Sequence, residues 1–221
     1  MKLIKPIFRA TLFSIVMLST YTASAASTTY GGVLFPDGDV SFADAVVSYS
    51  PGSDVGSPYD DASDALGAPD YSGNTGSTSL GDGGELILQF TDNSLTASGD
   101  STDDLWVFEI GGAVETFFVS ISTNLVDWVD LGSLSGQPGG IDIDSFSGVT
   151  FGTLYSYVRL MDDPNSNQTG FPYGEADIDA VGAISSGAPV PQVPIPAAAF
   201  MFAPALLGFM GLRRKAKNSV A

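Results

Sequence analysis

Between Phe42 and Ile184 the apolar residues come in short runs, and no stretch repeats them at the 3.6-residue period of a helix face. Leu86-Ile87-Leu88-Gln89-Phe90 is bounded by Gly83-Gly84 and by Thr91-Asp92-Asn93, and the run from Leu105 to Ile110 stops at Gly111-Gly112. Thr116 to Ser122 alternates, Val126 to Leu131 follows a tight turn, and Tyr155 to Leu160 and Ile178 to Ile184 come later. Phe42 to Tyr49 makes a first run ahead of them. Short length, β-branched and aromatic enrichment, and Gly, Asp and Asn punctuation predict strands. Strands of this kind joined by irregular loops predict an all-β fold, an antiparallel β-sandwich of jelly-roll type.

No cysteine is present, so no disulfide framework braces that sandwich, and there is no histidine either. Those absences exclude Ser-His-Asp and Cys-His catalysis, zinc sites built on thiolate or imidazole, and haem ligation in its usual forms. Carboxylates remain. The formal charge is −17, and all 25 Asp and Glu fall between Asp37 and Asp179. Inside that span Arg159 is the only cation. Such a domain lacks the basic footprint that nucleic-acid phosphates require. A glycosidase needs two carboxylates about 5–9.5 Å apart, and 25 candidates single out no pair. The expectation is a protein that is not an enzyme, with a carboxylate-dependent glycan-active enzyme as the alternative.

The other cations crowd the two ends. Lys2, Lys5 and Arg9 precede an apolar segment from Ala10 to Leu18 and the small residues Ala23-Ser24-Ala25. That is the pattern of a signal peptide over 1–25, too short to act as a membrane anchor. From Ile195 to Leu212 no charge interrupts the chain, and Arg213, Arg214 and Lys215 follow as a membrane stop. At about 1.5 Å rise per residue this is a minimal transmembrane helix. Pro204 lies within it, and a membrane tolerates the resulting kink better than water does. The basic tail is expected on the cytoplasmic side, with the acidic middle outside.

Val193-Pro194-Ile195-Pro196-Ala197-Ala198, the short apolar stretch, and Gly211-Leu212-Arg213-Arg214-Lys215 occur in that order. This tail resembles the VPLPA-type branch of the PEP-CTERM sorting domains, with Ile195 standing where that family usually has Leu. The resemblance implies a sorting motif at Val193, Pro194, Ile195, Pro196 and Ala197. It also implies cleavage by an exosortase-type membrane protease of a Gram-negative bacterium. The route would be general secretion, an inner-membrane intermediate, and then the cell surface or extracellular matrix. A permanent membrane anchor is the alternative. The expected organisation is a signal peptide (1–25), an acidic ectodomain (26–187), a Pro-rich spacer with the sorting motif (188–196), and a transmembrane helix with a basic tail (197–221).

A second resemblance runs through the middle. Ala65-Leu66-Gly67-Ala68-Pro69-Asp70, Ser79-Leu80-Gly81-Asp82-Gly83-Gly84-Glu85-Leu86 and Val107-Phe108-Glu109-Ile110-Gly111-Gly112 open the series. Val119 to Ser122 with Trp128-Val129, Tyr157 to Asp162, and Ala176 to Val181 continue it. Together they resemble bacterial surface domains related to discoidin and galactose-binding sandwiches. That superfamily includes sugar binders, adhesion modules and non-binding structural domains, so the resemblance implies exopolysaccharide binding or a role in adhesion and biofilm structure. In many relatives a calcium ion braces one end of the sandwich.

Calcium takes oxygen ligands, for which clustered carboxylates on loops are suited. Asp60, Asp61, Asp64 and Asp70 lie on one Gly/Pro-rich loop, and Asp177 and Asp179, two apart on a strand, are expected to share a face with access to it. The alternative is a solvated acidic face. Asp142 and Asp144 are expected on the solvent face of an edge strand. Tyr59, Tyr71, Phe171 and Tyr173 sit in loops, where large apolar side chains either pack or contact glycan. Trp106 and Trp128 are expected in the core. Glu109, inside an apolar run, needs a partner if buried, and Arg159 is the cation available to form a structural ion pair with it.

Overall fold

The computed structural model describes residues 26–73, 75–165 and 170–190. The expected signal peptide, the sorting motif Val193–Ala197 and the stop Arg213–Lys215 lie outside the described residues. No helix among the described residues is long and apolar enough to cross a membrane.

The described chain is all-β, punctuated by three single 3₁₀ turns at Gly38–Ser41, Ala62–Ala65 and Ile143–Ser145. The strands begin with β1 (Thr28–Tyr30), β2 (Val33–Phe35), β3 (Ala45–Ser50), β4 (Thr78–Ser79) and β5 (Glu85–Gln89). Next come β6 (Ser94–Leu95), β7 (Leu105–Ile110), β8 (Thr116–Ser122) and β9 (Trp128–Ser135). The last four are β10 (Gly139–Ile141), β11 (Tyr157–Asp162), β12 (Asp177–Ala183) and β13 (Ser186–Gly187). They form a five-stranded sheet in the order β3-β5-β11-β8-β9 and a four-stranded sheet in the order β10-β7-β12-β4. Two small ribbons, β1-β2 and β13-β6, flank them. Every strand pairing is antiparallel.

Alternation explains how the sheets meet. In β11, Val158, Leu160 and Asp162 are buried while Tyr157, Arg159 and Met161 are half-buried, the period-two signature of a strand with one inward face. Phe117, Val119, Ile121, Leu86 and Leu88 join Val158 and Leu160 from the five-stranded sheet. Leu105, Val107, Ile141, Ile178 and Val181 face them from the four-stranded sheet, so both sheets bury one common core. The far side of the four-stranded sheet is covered too. There Phe35, Phe42 and Phe108 pack with Ala180 in a second cluster. The Phe35 and Phe42 rings are 4.6 Å apart, and Tyr30 meets Phe42 edge-on at 5.2 Å. Gly182 makes this approach possible, since a Cβ there would lie 2.7 Å from Phe35 and 2.8 Å from Phe42. As a result β12 is buried along its whole length.

Strand positions differ from expectation where polar turns intervene. The run expected from Val126 begins as strand only at Trp128, because Asn124 accepts hydrogen bonds from the amides of Val126 and Asp127, both 2.9 Å. Phe42 lies outside β3 and touches Gly182 through an isolated bridge. Trp106 and Trp128 are half-buried rather than core. The expected Glu109–Arg159 pair is not formed. Glu109 belongs to β7 and Arg159 to β11, on opposite sheets. The outward face of β11 aims Arg159 at Trp128, where its guanidinium stacks 4.5 Å from the ring centre and donates to Ser120 at 3.3 Å.

Candidate functional site

One end of the four-stranded sheet carries the densest chemistry. Three of the four loop aromatics converge there. Tyr59, Tyr71 and Tyr173 line a cleft of about 480 Å³ with Ile110–Ala113, Glu115 and Asp177. This volume is within the range of small-ligand sites, about 300–1,000 Å³. Tyr59 is almost wholly buried and its ring lies 5.3 Å from that of Tyr173. Phe171, 70% exposed, is not among the lining residues.

Backbone bonds explain why three separate loops meet. The Tyr59 carbonyl accepts from the Ser79 amide of β4 at 2.9 Å. Tyr173 bridges to Val55, and the Ser79 hydroxyl donates to the carbonyls of Tyr173 and Gly174. Asp179 fastens the third loop, because its Oδ1 accepts from the amides of both Asp70 and Tyr71 at 3.1 Å. Asp179 sits where the β12–β7 register shifts between Ile178 and Ala180. An extra residue at such a bulge re-aims a side chain beside a site. Asp179 is therefore a positioning residue for Tyr71.

A second cleft, about 410 Å³, adjoins the first and shares Tyr71, Ile110 and Gly111 with it. Glu109 and Asp179 line this one. Gly111 lies between the acids of the two clefts, since a Cβ on it would stand 3.7 Å from Glu109 Oε1 and 4.0 Å from Asp177 Oδ2. Its φ of +139° also disfavours any other residue.

The carboxyls here are unusual acids. Burial pushes Glu109 up to about 8 against the pull of Gln137, with the Glu115 and Asp177 charges adding to it, and neither of its oxygens makes a well-formed hydrogen bond. The neighbouring Gln137 amide donates instead to the carbonyls of Ala113 and Gly111. Burial and the Glu115 charge push Asp177 up to about 8 as well, although Ser79 pulls the other way. Asp179 is raised by burial to about 6, moderated by the two amides it holds. Burial, then the Asp60 and Asp177 charges, raises the Tyr49 hydroxyl to about 12, and burial, then Tyr71, Tyr173 and Asp177, raises Tyr59.

The six carboxylates expected to bind calcium do not assemble into one site. Asp60, Asp61 and Asp70 are exposed, and Asp61 is occupied as the cap of the turn at Ala62–Ala65, accepting from the Ser63 amide at 2.9 Å. Asp177 and Asp179 line different clefts. Among the described residues, the group of three whose ligand oxygens all lie within 4.8 Å of one another is Asp104, Asp142 and Asp144. Asp104 is fully buried and accepts from the amides of Ser98 and Ile143, both 3.0 Å. Asp144 accepts from the Gly99 amide at 2.9 Å. So Asp142 and Asp144 are not on the solvent face of an edge strand: β10 ends at Ile141, and the turn after it swings them towards the loop before β7. Glu115 and Gly111 escaped the sequence reading, although a Gly-Gly turn flanked by two lone acids was the available signal.

No family model, no curated protein and no solved structure matches this chain.

The raised carboxyls fix a pH dependence. The folded protein retains protons that the unfolded chain releases once the pH passes about 4. The stability these groups contribute is therefore whole below about pH 4, declines as the pH rises, and levels off above about pH 8. The melting temperature is expected to fall between about pH 5 and pH 8. Glu109→Gln or Asp177→Asn should flatten that fall, and an unchanged profile in both variants would contradict the burial described.

Proposed function

We propose that this is an exported surface or matrix protein that holds extracellular polysaccharide without turning it over. The observation that carries the binding reading is the convergence of Tyr59, Tyr71 and Tyr173 on one cleft with acids beside them. Tyrosine offers an apolar ring face to a sugar and a hydroxyl to its polar edge, at small cost in side-chain entropy. The jelly-roll, galactose-binding-like form of the sandwich suits this reading, because loops gathered at one end of two sheets present such a cleft on a fixed frame. Electrophoretic retardation by neutral and amine-bearing polysaccharides tests it. Tyr71→Ala or Tyr173→Ala is expected to weaken retardation by about tenfold, roughly 1.4 kcal/mol, while Phe171→Ala leaves it intact. Release of reducing ends that stops with Asp177→Asn would instead establish the enzyme alternative.

Delivery rests on the tail. Its motif, apolar stretch and basic stop suit an exosortase-type protease acting at an inner-membrane intermediate, after export through the signal peptide. Mass spectrometry of the mature C-terminus in the native host is expected to find the residues beyond the sorting motif missing. A chain still ending at Ala221 would leave a permanent anchor.

Calcium has its own supporting observation in Asp104, Asp142 and Asp144. Their donors are all oxygen, as calcium prefers, and an ion there would tie the loop before β7 to the turn after β10. A chelator should lower the melting temperature of the wild type and leave Asp142→Asn unaffected; no shift in the wild type would exclude the ion.

A further inference from the structure

We infer that the polysaccharide held by the tyrosine cleft bears free amines, and that Asp177 and Glu109 meet their positive charge. This inference rests on the polysaccharide reading above and adds the class of sugar. Asp177 is only 6% exposed, yet its Oδ1 has no hydrogen-bond partner and the residue lines the cleft. Glu109, 1% exposed, leaves both oxygens without a partner in the adjoining cleft. A buried carboxylate in this condition lacks a counter-charge or a donor. Ser79 pulls on Asp177, and Gln137 and the Glu115 backbone pull on Glu109, but the chain brings no cation to either. Arg159 is the only side-chain cation among the described residues, and it is stacked on Trp128 in the other sheet.

A ligand that brings a positive charge would favour the ionised forms of these acids, and its shape can be read from the walls. A metal ion finds no set of three carboxylates here, because these acids belong to no described group of three whose oxygens lie within 4.8 Å of one another. An ammonium group is broader than a bare ion, donates several hydrogen bonds, and is attracted to aromatic faces. Tyr59, Tyr71 and Tyr173 provide such faces in the same cleft as Asp177. Gly111, at the seam of the two clefts, places no side chain between Asp177 and Glu109. A domain with 25 acids and one Arg also attracts a cationic polymer over a distance.

The full chain is titrated calorimetrically with three probes: a trimer of glucosamine, a trimer of N-acetylglucosamine and a trimer of glucose. The glucosamine trimer is expected to bind about tenfold more tightly than either neutral trimer. Asp177→Asn should abolish that preference while neutral binding persists, and Glu109→Gln provides the same comparison by a second route. Asp130→Asn, on the exposed edge of the other sheet, should keep the preference. A preference that survives both cleft variants would reflect overall charge and would overturn the inference. Equal binding of all three trimers would overturn the amine and leave the polysaccharide reading standing. Binding of none would end both.

Discussion

Burial of acids in a domain with one cation is the constraint on which this structure turns. Glu109, Asp177 and Asp179 lie on the two strands at the heart of the four-stranded sheet, and β12 is covered on both sides. Desolvation alone favours their protonated forms, and their mutual repulsion adds to it. The protein does not relieve this with an ion pair, because Arg159 is committed elsewhere. Asp179 is eased by two backbone amides and thereby gains a structural task. Asp177 and Glu109 are eased less, by Ser79 and by Gln137 with the Glu115 backbone, and remain further raised. The contrast within a few residues of one strand pair separates an acid that fastens a loop from acids that line the clefts with their protonated forms favoured.

Stability without disulfides comes from layering. The common core between the two sheets and the aromatic cluster beyond the four-stranded sheet enclose β12 from opposite sides. Edge-on and tilted ring contacts among Tyr30, Phe35, Phe42 and Phe108 add directional packing to the burial of their area. Loops between the strands are fastened chiefly by carboxylates accepting backbone amides: Asp44 for Thr91, Asp104 for Ser98 and Ile143, Asp162 for Gly83. Much of the acidity that looks like solvated surface in the sequence is therefore internal stitching.

Much of the strand framework was legible because strands announce themselves locally. Leu105–Ile110 and Thr116–Ser122 carry their bounds in the sequence, one as an apolar run closed by glycines and one as an alternation. The two-residue strands β4, β6 and β13 were not legible, since a pairing that short depends on what lies opposite. The tyrosines were recognisable as misfits in polar loops, and three of them do meet. Which acids would accompany them was not visible, because the six acids nearest in pattern are divided between caps, loop anchors and clefts. Glu109 and Arg159 show the reason most plainly. Each needed a partner on local grounds, but sheet membership is decided by long-range pairing, and they fell on opposite sheets.

Gly111 has a consequence for how such a protein can change over generations. Its missing side chain leaves the seam between Asp177 and Glu109 without a further wall, and its backbone angle is one that other residues resist. An added methyl group there would stand at ordinary contact distance from both acids, 3.7 Å from Glu109 and 4.0 Å from Asp177, so the cost of a change lies in the backbone angle of +139°. Tolerance to mutation is thus unequal: the sandwich spreads its burden over dozens of side chains, while the seam between the two clefts turns on one position whose backbone angle favours glycine.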